Sequence, residues 1–517
     1  AGIGVYAYVK EIGLSKYTAA LASVVYMFSG NLATTPHAGH LGRAASVALF
    51  PLMLFFVHRG LRLKSFVYFI CIALVAAFAF YEGHFQITYY ALLFVLAYVI
   101  YYLISMRRQY ATKDYVRVIG FGAIAVVLIM LLMAAIWLPV LGGLQTAARG
   151  MERGYEYAIS WALPPAELFD LLVPSYSGIL GNYWGANAFK QHTEYFGLLT
   201  IIFALFAIVN CWKKPYVKFY AFGALVAGLV ALGGATPFFR IVYTIIPGFR
   251  LTRAPSLIFY LVSFGFVILG AIGFENTVVK KEMDWKKFLF TAAVMFGAFI
   301  VLMLIGSGIG KNIAGPKSSA YVANSSQFTQ GFLLACGLFL LVLGMIYLAL
   351  KQKATAIYLT IGAIVLALVS QVPLMAKFLP GGVDPEKYYA GDDIVRFLKS
   401  DRSVYRVFPF QSYPPLNPQF LYHIQDSYLL YHDIQSAGGY IANPIQRYQE
   451  YIGAGTSVMF TPTNLFLHPR FADMLSLKYI VAPALPDDIS RFDPGVQELA
   501  KRAASSPPVP ALISRNM

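Results

Sequence analysis

Residues 117–141 read RVIGFGAIAVVLIMLLMAAIWLPVL, a run in which Arg117 is the only charged residue. About 20 apolar residues of helix cross the hydrocarbon core of a membrane, so this run predicts a membrane-spanning helix. Ten further segments of similar character surround it and predict a polytopic α-helical membrane protein. The eleven segments are 15–30, 43–59, 64–82, 87–106, 117–141, 195–212, 217–234, 256–275, 288–308, 329–350 and 355–377. An apolar stretch at 2–9 would bring the number of crossings to about twelve.

The composition favours the same class, because 58% of the 517 residues are hydrophobic and only 12% are charged. In soluble domains, about a quarter of the residues are charged. The net charge of +16 does not indicate a nucleic-acid partner, since the basic residues form short clusters between apolar runs and no basic face. Strict alternation of the spans places clusters such as Arg107 and Arg108 on the cytoplasmic side, as the positive-inside rule expects. The same alternation places the chain after Lys377 outside.

The sequence divides into three predicted parts. Residues 1–377 form a transmembrane helical domain, 378–502 an extracytoplasmic soluble α/β domain, and 503–517 an extended tail. The outer loops 142–194 and 235–255 are long and rich in Pro, Trp, Tyr and Gly, unlike the short basic inner loops. Long loops held on a rigid scaffold often carry a functional site, although these loops could instead anchor the protein at the interface.

The predicted C-terminal domain rests on a change of pattern after Pro380. Hydrophobicity falls there, and runs of β type at Ser403–Phe410 and Lys478–Ala482 alternate with a helical stretch near Asp392–Ser400. This alternation predicts a small α/β fold.

Two polar clusters fall in predicted outer segments. His37 and His40 are three residues apart and could share a divalent metal ion, relay a proton or bind a phosphate, or could simply hydrogen-bond the loop backbone. Glu82, His84 and Gln86 lie in a tight hairpin, where they could bind sugar hydroxyls or act as acid and base. A turn whose polar groups satisfy one another is the alternative.

Two further groups of charges stand beside predicted spans. Arg250 and Arg253 precede span 256–275 and offer bidentate donors near a positive helix end, which suits a phosphate, a lipid headgroup or an ion pair with the tail. Glu194 directly precedes an apolar run, so burial could perturb its pKa. The other charged residues singled out in this loop are Glu152, Arg153, Glu156, Asp170 and His192. They could include a base, or belong to a solvated loop that carries charges anyway.

Several short segments occur in an order that resembles the bacterial YfhO-type membrane proteins. They are GLSKYTAAL (13–21), HAGHLG (37–42), GHFQ (83–86), PGFRLTRAP (247–255) and GGYIANPIQRY (438–448). That family is similar to the GT-C glycosyltransferases. The resemblance implies transfer of a sugar from a polyprenyl-phosphate donor to an envelope glycan or protein, outside the bacterial cytoplasmic (inner) membrane. It also implies an inverting displacement with a carboxylate base and cations on the donor phosphate.

The resemblance gives roles to the clusters described above. Catalytic candidates are Glu82, Glu194 and His84, donor-phosphate candidates are Arg250 and Arg253, and candidates for acceptor or proton handling are His37, His40 and Gln86. The main catalytic carboxylate of such enzymes is expected in a loop upstream of residue 1. A divalent metal ion could take part. The expected partners are the lipid-linked sugar, membrane lipids, the acceptor and, in one alternative, a protein complex.

Two other functions fit the same spans. A non-catalytic scaffold or accessory subunit would use the spans as an anchor and the tail as a docking surface for an envelope complex. A transporter would be expected to show internal repeats and charges deep in its spans, whereas this sequence shows no repeat and has nearly no charges deep inside its spans. The sequence also lacks a Walker A loop and a His-Glu-x-x-His motif, which argues against a pump or a zinc protease.

Overall fold

The computed structural model describes residues 1–144, 146–148, 154–313, 318–379, 382, 384–409, 428–438, 444–455, 464, 469–481 and 497. The chain forms two compact units. Unit 1 comprises Ala1–Trp137 and Arg153–Pro380, and unit 2 comprises Leu138–Glu152 and Gly381–Met517.

Helices occupy every segment for which the sequence predicts a span. They are α1 (Gly2–Glu11), α2 (Lys16–Met27), α3 (Gly30–Ala33), α4 (Leu41–Leu63), α5 (Phe66–Tyr81), α6 (Phe85–Ser105), α7 (Thr112–Leu144), α8 (Gly154–Ile159), α9 (Leu198–Asn210), α10 (Pro215–Ala231), α11 (Phe238–Ile245), α12 (Phe259–Phe274), α13 (Trp285–Ile313), α14 (Ser318–Leu350) and α15 (Ala356–Ala376).

In the part of the chain that the structure describes, seven helices are long and apolar enough to cross a membrane. These seven are Leu41–Leu63, Phe85–Ser105, Thr112–Gly143, Pro255–Val279, Trp285–Gly306, Tyr321–Leu350 and Ala356–Ala376. The apolar helices α5, α9 and α10 are shorter. The protein is thus an α-helical, multi-pass membrane protein, whereas the eleven or twelve crossings stay a prediction.

Helix α12 lies at the centre of unit 1. Of the residues in its apolar 18-residue stretch, 89% are buried, compared with 17% in the corresponding stretch of α7. Helix α12 packs against α2, α9 and α10. Small residues allow this close packing of helices. A Cβ on Gly273 of α12 would lie 1.9 Å from the carbonyl oxygen of Phe203 on α9, so no side chain fits at position 273.

Ion pairs join several predicted cytoplasmic loops at one end of unit 1. Glu11 lies 3.0 Å from Arg59 and 2.6 Å from Arg62, and Lys64 lies 2.8 Å from Asp114. Helix α1 therefore ends beside the end of α4 and the start of α7. The beginnings of α4 and α6 lie at the opposite end, which is the predicted outer side.

Unit 2 contains a two-stranded parallel sheet of Arg406–Pro409 and Leu477–Val481. Its other described elements are the helices Pro385–Tyr388, Asp393–Ser400, Tyr428–Tyr431, Gln446–Ile452 and Pro469–Met474. Both predicted β-type runs thus contain a strand, and the stretch near Asp392–Ser400 is helical. The α/β domain as a whole stays a prediction, and the tail 503–517 lies outside the described residues.

Candidate functional site

A buried group of charges lies in the loop between α8 and α9, and we call it the lysine–carboxylate cluster. Its members are Lys190, Glu167, Asp170 and Glu194. The Lys190 Nζ atom lies 2.6 Å from Glu167 Oε2, 2.9 Å from Asp170 Oδ2 and 2.8 Å from Glu194 Oε2. All four side chains are at most 5% exposed. Charged groups are rarely this buried unless paired, so the loop is a folded site here and not a solvated one.

Local sequence explains how the carboxylates converge. A 3₁₀ helix spans Pro165–Leu171, and residues three apart in such a helix lie on the same side, which brings Glu167 and Asp170 together. Ser177 donates from its backbone N at 3.0 Å and from its Oγ at 2.5 Å to Asp170. The hydroxyl of Tyr183 donates to Glu167 Oε1 at 2.5 Å. These contacts hold both carboxylates in addition to their contacts with Lys190.

The charges give the carboxylates different proton affinities. Burial raises the pKa of Glu167, and the neighbouring charges of Glu194 and Asp170 add to this, although Lys190 acts in the opposite direction. Burial alone would also raise the pKa of Glu194, but Lys190 and His192 lower it below its ordinary value. Burial would lower the pKa of Lys190, yet the three carboxylates raise it well above its usual range. Glu167 is therefore the stronger base, and Glu194 stays ionised.

Backbone contacts hold the loop against the segment around α3. The Thr193 N donates to Thr34 Oγ1 at 3.1 Å, and the Gly30 N donates to the Tyr195 carbonyl at 2.8 Å. A Cβ on Gly30 would lie 2.3 Å from the Thr193 carbonyl oxygen. The segment that carries Glu194 is thus fixed directly on the start of the helical bundle.

A cavity of about 210 Å³ borders the cluster. Tyr176 and Trp184 are its aromatic lining residues. Glu167 and Ser177 also line it, but the surface that they present to the cavity is apolar. Its other lining residues are Pro164, Pro165, Ala166, Gly185 and Ala186. Concave pockets with mainly apolar and aromatic walls are typical of small-molecule sites.

The three carboxylates could also be metal ligands, since their oxygens lie within 4.8 Å of one another. However, the Lys190 ammonium contacts all three, so it already supplies the cation of the cluster. A metal ion would have to displace a lysine side chain. The residues therefore do not fit a resident metal ion, and the predicted divalent ion stays a prediction.

The hairpin with Glu82 and His84 lies against the start of α4. A Cβ on Gly42 would lie 1.9 Å from the Glu82 carbonyl oxygen. Glu82 and His40 are exposed, while Arg43 is only 5% exposed. Arg43 interacts electrostatically with His84, His40 and Glu194, so the first two predicted outer clusters and Glu194 belong to one electrostatic neighbourhood.

Gly42→Ala is expected to destabilise the protein by about 1–3 kcal/mol, because a methyl group must push the hairpin away from α4. The matched control is Gly120→Ala on α7, where an added Cβ meets no atom within 4 Å. Thermal unfolding in detergent measures both variants. Equal transition temperatures for the two would contradict the close approach at Gly42.

His84 is expected to make stability depend on pH. Burial, assisted by the charges of Arg43 and His40, lowers the pKa of His84 to about 4. Between that value and the ordinary pKa of about 6.5, the unfolded chain binds a proton that the folded chain does not, so stability falls as the pH falls. His84→Gln should flatten the fall in transition temperature between pH 7 and pH 4.5. Parallel curves for the variant and the natural sequence would contradict this role.

Gln86 and Arg253 come from different predicted clusters but contact each other. Gln86 Nε2 donates to the Arg253 carbonyl at 2.5 Å, and the Arg253 N donates to Gln86 Oε1 at 3.3 Å. The Arg253 Nε donates to Ser160 Oγ at 3.1 Å, and its guanidinium lies 5.0 Å from the Tyr157 ring centroid. Gln86 thus holds the backbone that carries a predicted phosphate ligand.

The remaining predicted residues differ in their surroundings. Arg250 is exposed, with its guanidinium 5.8 Å from the Tyr243 ring centroid. His37 Nδ1 lies 2.7 Å from the Phe378 carbonyl oxygen, which fits the alternative that it binds loop backbone. Glu156 is exposed on α8, while Glu152 and Arg153 lie outside the described residues.

Sequence reasoning selected Glu194, named Asp170 and His192, and missed Glu167 and Lys190. Glu167 and Lys190 are 23 positions apart, so no local spacing indicates their contact. The available signal was the presence of ionisable residues within an aromatic loop that is otherwise largely apolar. Comparisons of this chain with family models, curated proteins and solved structures found no match.

Proposed function

We propose that the protein transfers a sugar from a polyprenyl-phosphate donor to an envelope acceptor at the outer face of the bacterial cytoplasmic membrane. The observation that carries this proposal is the position of Glu167, a buried glutamate with a raised pKa that lines a cavity with aromatic side chains. Its two oxygens each accept one hydrogen bond, from Tyr183 and Lys190, so lone pairs remain for a substrate proton.

The cavity supports a small substrate group. Its volume of about 210 Å³ is below the roughly 300–1,000 Å³ of sites for drug-sized ligands, so it suits a single sugar ring better than an oligosaccharide. Tyr176 and Trp184 would pack on the apolar side of the ring. Glu167 and Ser177 contribute no polar surface to the cavity in this structure, so their side chains would have to turn toward it to meet hydroxyl groups.

The proposed reaction is a single displacement with inversion. An acceptor hydroxyl attacks the anomeric carbon of the donor sugar, and the bond from that carbon to the phosphate oxygen breaks. The polyprenyl phosphate leaves with the electron pair, and Glu167 accepts the proton of the hydroxyl. A base of this kind works best when its pKa is close to the working pH, which burial of Glu167 favours.

The residues predicted from the sequence have roles around this centre. Glu194 would keep Lys190 in place, because its own pKa is lowered and it is a weak base. Glu82 would lie on the acceptor side with His37 and His40, while His84, Arg250 and Arg253 would lie on the side of the donor phosphate. The C-terminal part of the chain would help to recognise the acceptor.

The test is a transfer assay on the full chain in proteoliposomes. Radiolabelled polyprenyl-phosphate hexoses and N-acetylhexosamines are supplied with a crude envelope fraction, and the label that leaves the lipid phase is counted. Vesicles without protein and heated protein are the controls. Transfer above both controls supports the enzyme, whereas no transfer from any donor would contradict it and favour the scaffold.

A further inference from the structure

Arg43 is a buried arginine in the first turn of α4. Arg43 is only 5% exposed. Its buried Nε atom has no hydrogen-bond partner among the described residues. No ion pair within 4 Å joins its guanidinium to a carboxylate of the described chain. Leaving a buried charge without a partner is costly, so this arrangement points to a ligand that is itself an anion.

The backbone around Arg43 adds positive potential. Helix α4 has 23 residues, and neither a side-chain cap nor an acidic residue is present in its first turn. The free N–H groups at a helix start carry a partial positive charge that favours anions and disfavours a nearby arginine. The sequence therefore places a cation at a helix end that itself already attracts an anion.

A second buried donor faces the same neighbourhood. The Nδ1 atom of His84 is buried and has no hydrogen-bond partner among the described residues. Arg43 and His84 interact electrostatically, which places them close together. In its Nδ1–H tautomer, His84 would donate a hydrogen bond to a bound anion without adding charge.

The buried carboxylate of Glu194 does not neutralise Arg43 by direct contact. Glu194 interacts electrostatically with Arg43, but its Oε2 lies 2.8 Å from Lys190 and its Oε1 lies 3.1 Å from His192. Among the described residues, Glu194 forms its ion pairs with these two side chains and none with Arg43.

We propose that Arg43, His84 and the amino-terminal end of α4 bind a phosphate group, and that this phosphate is the one carried by a polyprenyl lipid. The lipid part of this assignment rests on the proposed function. Arg253, which the sequence favours for this role, already donates to Ser160 and stacks on Tyr157. We therefore place the phosphate site at the start of α4, while Gln86, two residues after His84, holds the backbone of Arg253.

The test measures binding without sugar transfer. The full chain in nanodiscs is titrated with farnesyl phosphate, and farnesol serves as the probe that lacks the phosphate. Arg43→Gln is expected to weaken farnesyl phosphate binding at least tenfold, and Arg43→Lys should weaken it less because the charge remains. The control is Arg240→Gln, an exposed arginine on α11 whose replacement should leave binding unchanged. Equal affinity of Arg43→Gln and the natural sequence would overturn the proposal.

Competition identifies the source of the phosphate. Displacement of farnesyl phosphate by millimolar inorganic phosphate supports a site for the anion itself. Equal displacement by phosphatidylglycerol would overturn the assignment to a polyprenyl lipid. If Arg43→Gln does not fold, a photoactivatable farnesyl phosphate on the natural sequence replaces it. Cross-links in 37–46 support the site, whereas cross-links confined to 247–255 would overturn it.

The outcome is distinguishable from that of the transfer assay. If binding depends on Arg43 but no sugar is transferred, the proposed phosphate site is supported and the proposed transferase activity is contradicted. If the natural sequence transfers sugar and Arg43→Gln binds farnesyl phosphate unchanged, the proposed transferase activity is supported and the proposed phosphate site is contradicted.

Discussion

Glu167→Gln is expected to slow sugar transfer at least about 100-fold, because a positioned general base contributes about 10²–10⁴-fold to such reactions. The glutamine keeps the size of the side chain and can still accept from Tyr183, but it cannot accept the proton of the acceptor hydroxyl. Transfer rates in proteoliposomes measure the effect. The matched control is Glu156→Gln, an exposed glutamate on α8 that should leave the rate unchanged.

A pH profile separates a base from a purely structural residue. The natural protein should lose activity as the pH falls through the pKa of Glu167, since the base is then protonated, and Glu167→Gln should lack this limb in its residual rate. Glu167→Asp keeps the charge beside Lys190 while withdrawing the carboxylate, and it should be as folded as the natural protein but slower. A Glu167→Gln rate above half of the natural one would remove Glu167 as the base.

Lys190→Met is expected to lower the free energy of unfolding by about 3–5 kcal/mol, the usual effect of removing one partner from a buried ion pair. Because methionine and lysine have similar volumes, the loss of stability would reflect the missing charge and not a cavity. Three carboxylates would then face one another with no ammonium between them. Thermal unfolding in detergent measures the effect, and Lys213→Met, at an exposed lysine, is the control.

A compensating substitution tests whether charge is the cause. Adding Asp170→Asn to Lys190→Met removes one of the repelling carboxylates and should recover part of the lost stability. The two changes are expected to be non-additive because the side chains share one network. A double variant less stable than Lys190→Met alone would show that packing, and not charge, governs the cluster.

The sequence predicts the helices well because hydropathy is a local property. The run at 117–141 needs no knowledge of its neighbours to be apolar, and it is helical within α7. The strand Leu477–Val481 likewise overlaps the predicted run of β type at Lys478–Ala482. The local sequence does not indicate how deeply a helix is buried among the other helices. Helices α7 and α12 are both strongly apolar, yet one is peripheral and the other is central.

The site is only partly predictable for the same reason. Glu194 stands next to an apolar run, so its burial could be expected from neighbours in sequence. Glu167 and Lys190 meet because the loop folds back on itself, and Gln86 and Arg253 meet across 167 positions. The burial of Arg43 involves the hairpin at Glu82, which packs against Gly42 across about 40 positions of sequence, so no local pattern indicates it.

The central position of α12 has a consequence for how the protein is made. Its neighbours α2, α9 and α10 all precede it in the chain, and chains fold from the amino terminus during synthesis. Helix α12 therefore meets packing partners that have already been synthesised. The core of unit 1 is completed only after residues 259–274 have left the ribosome.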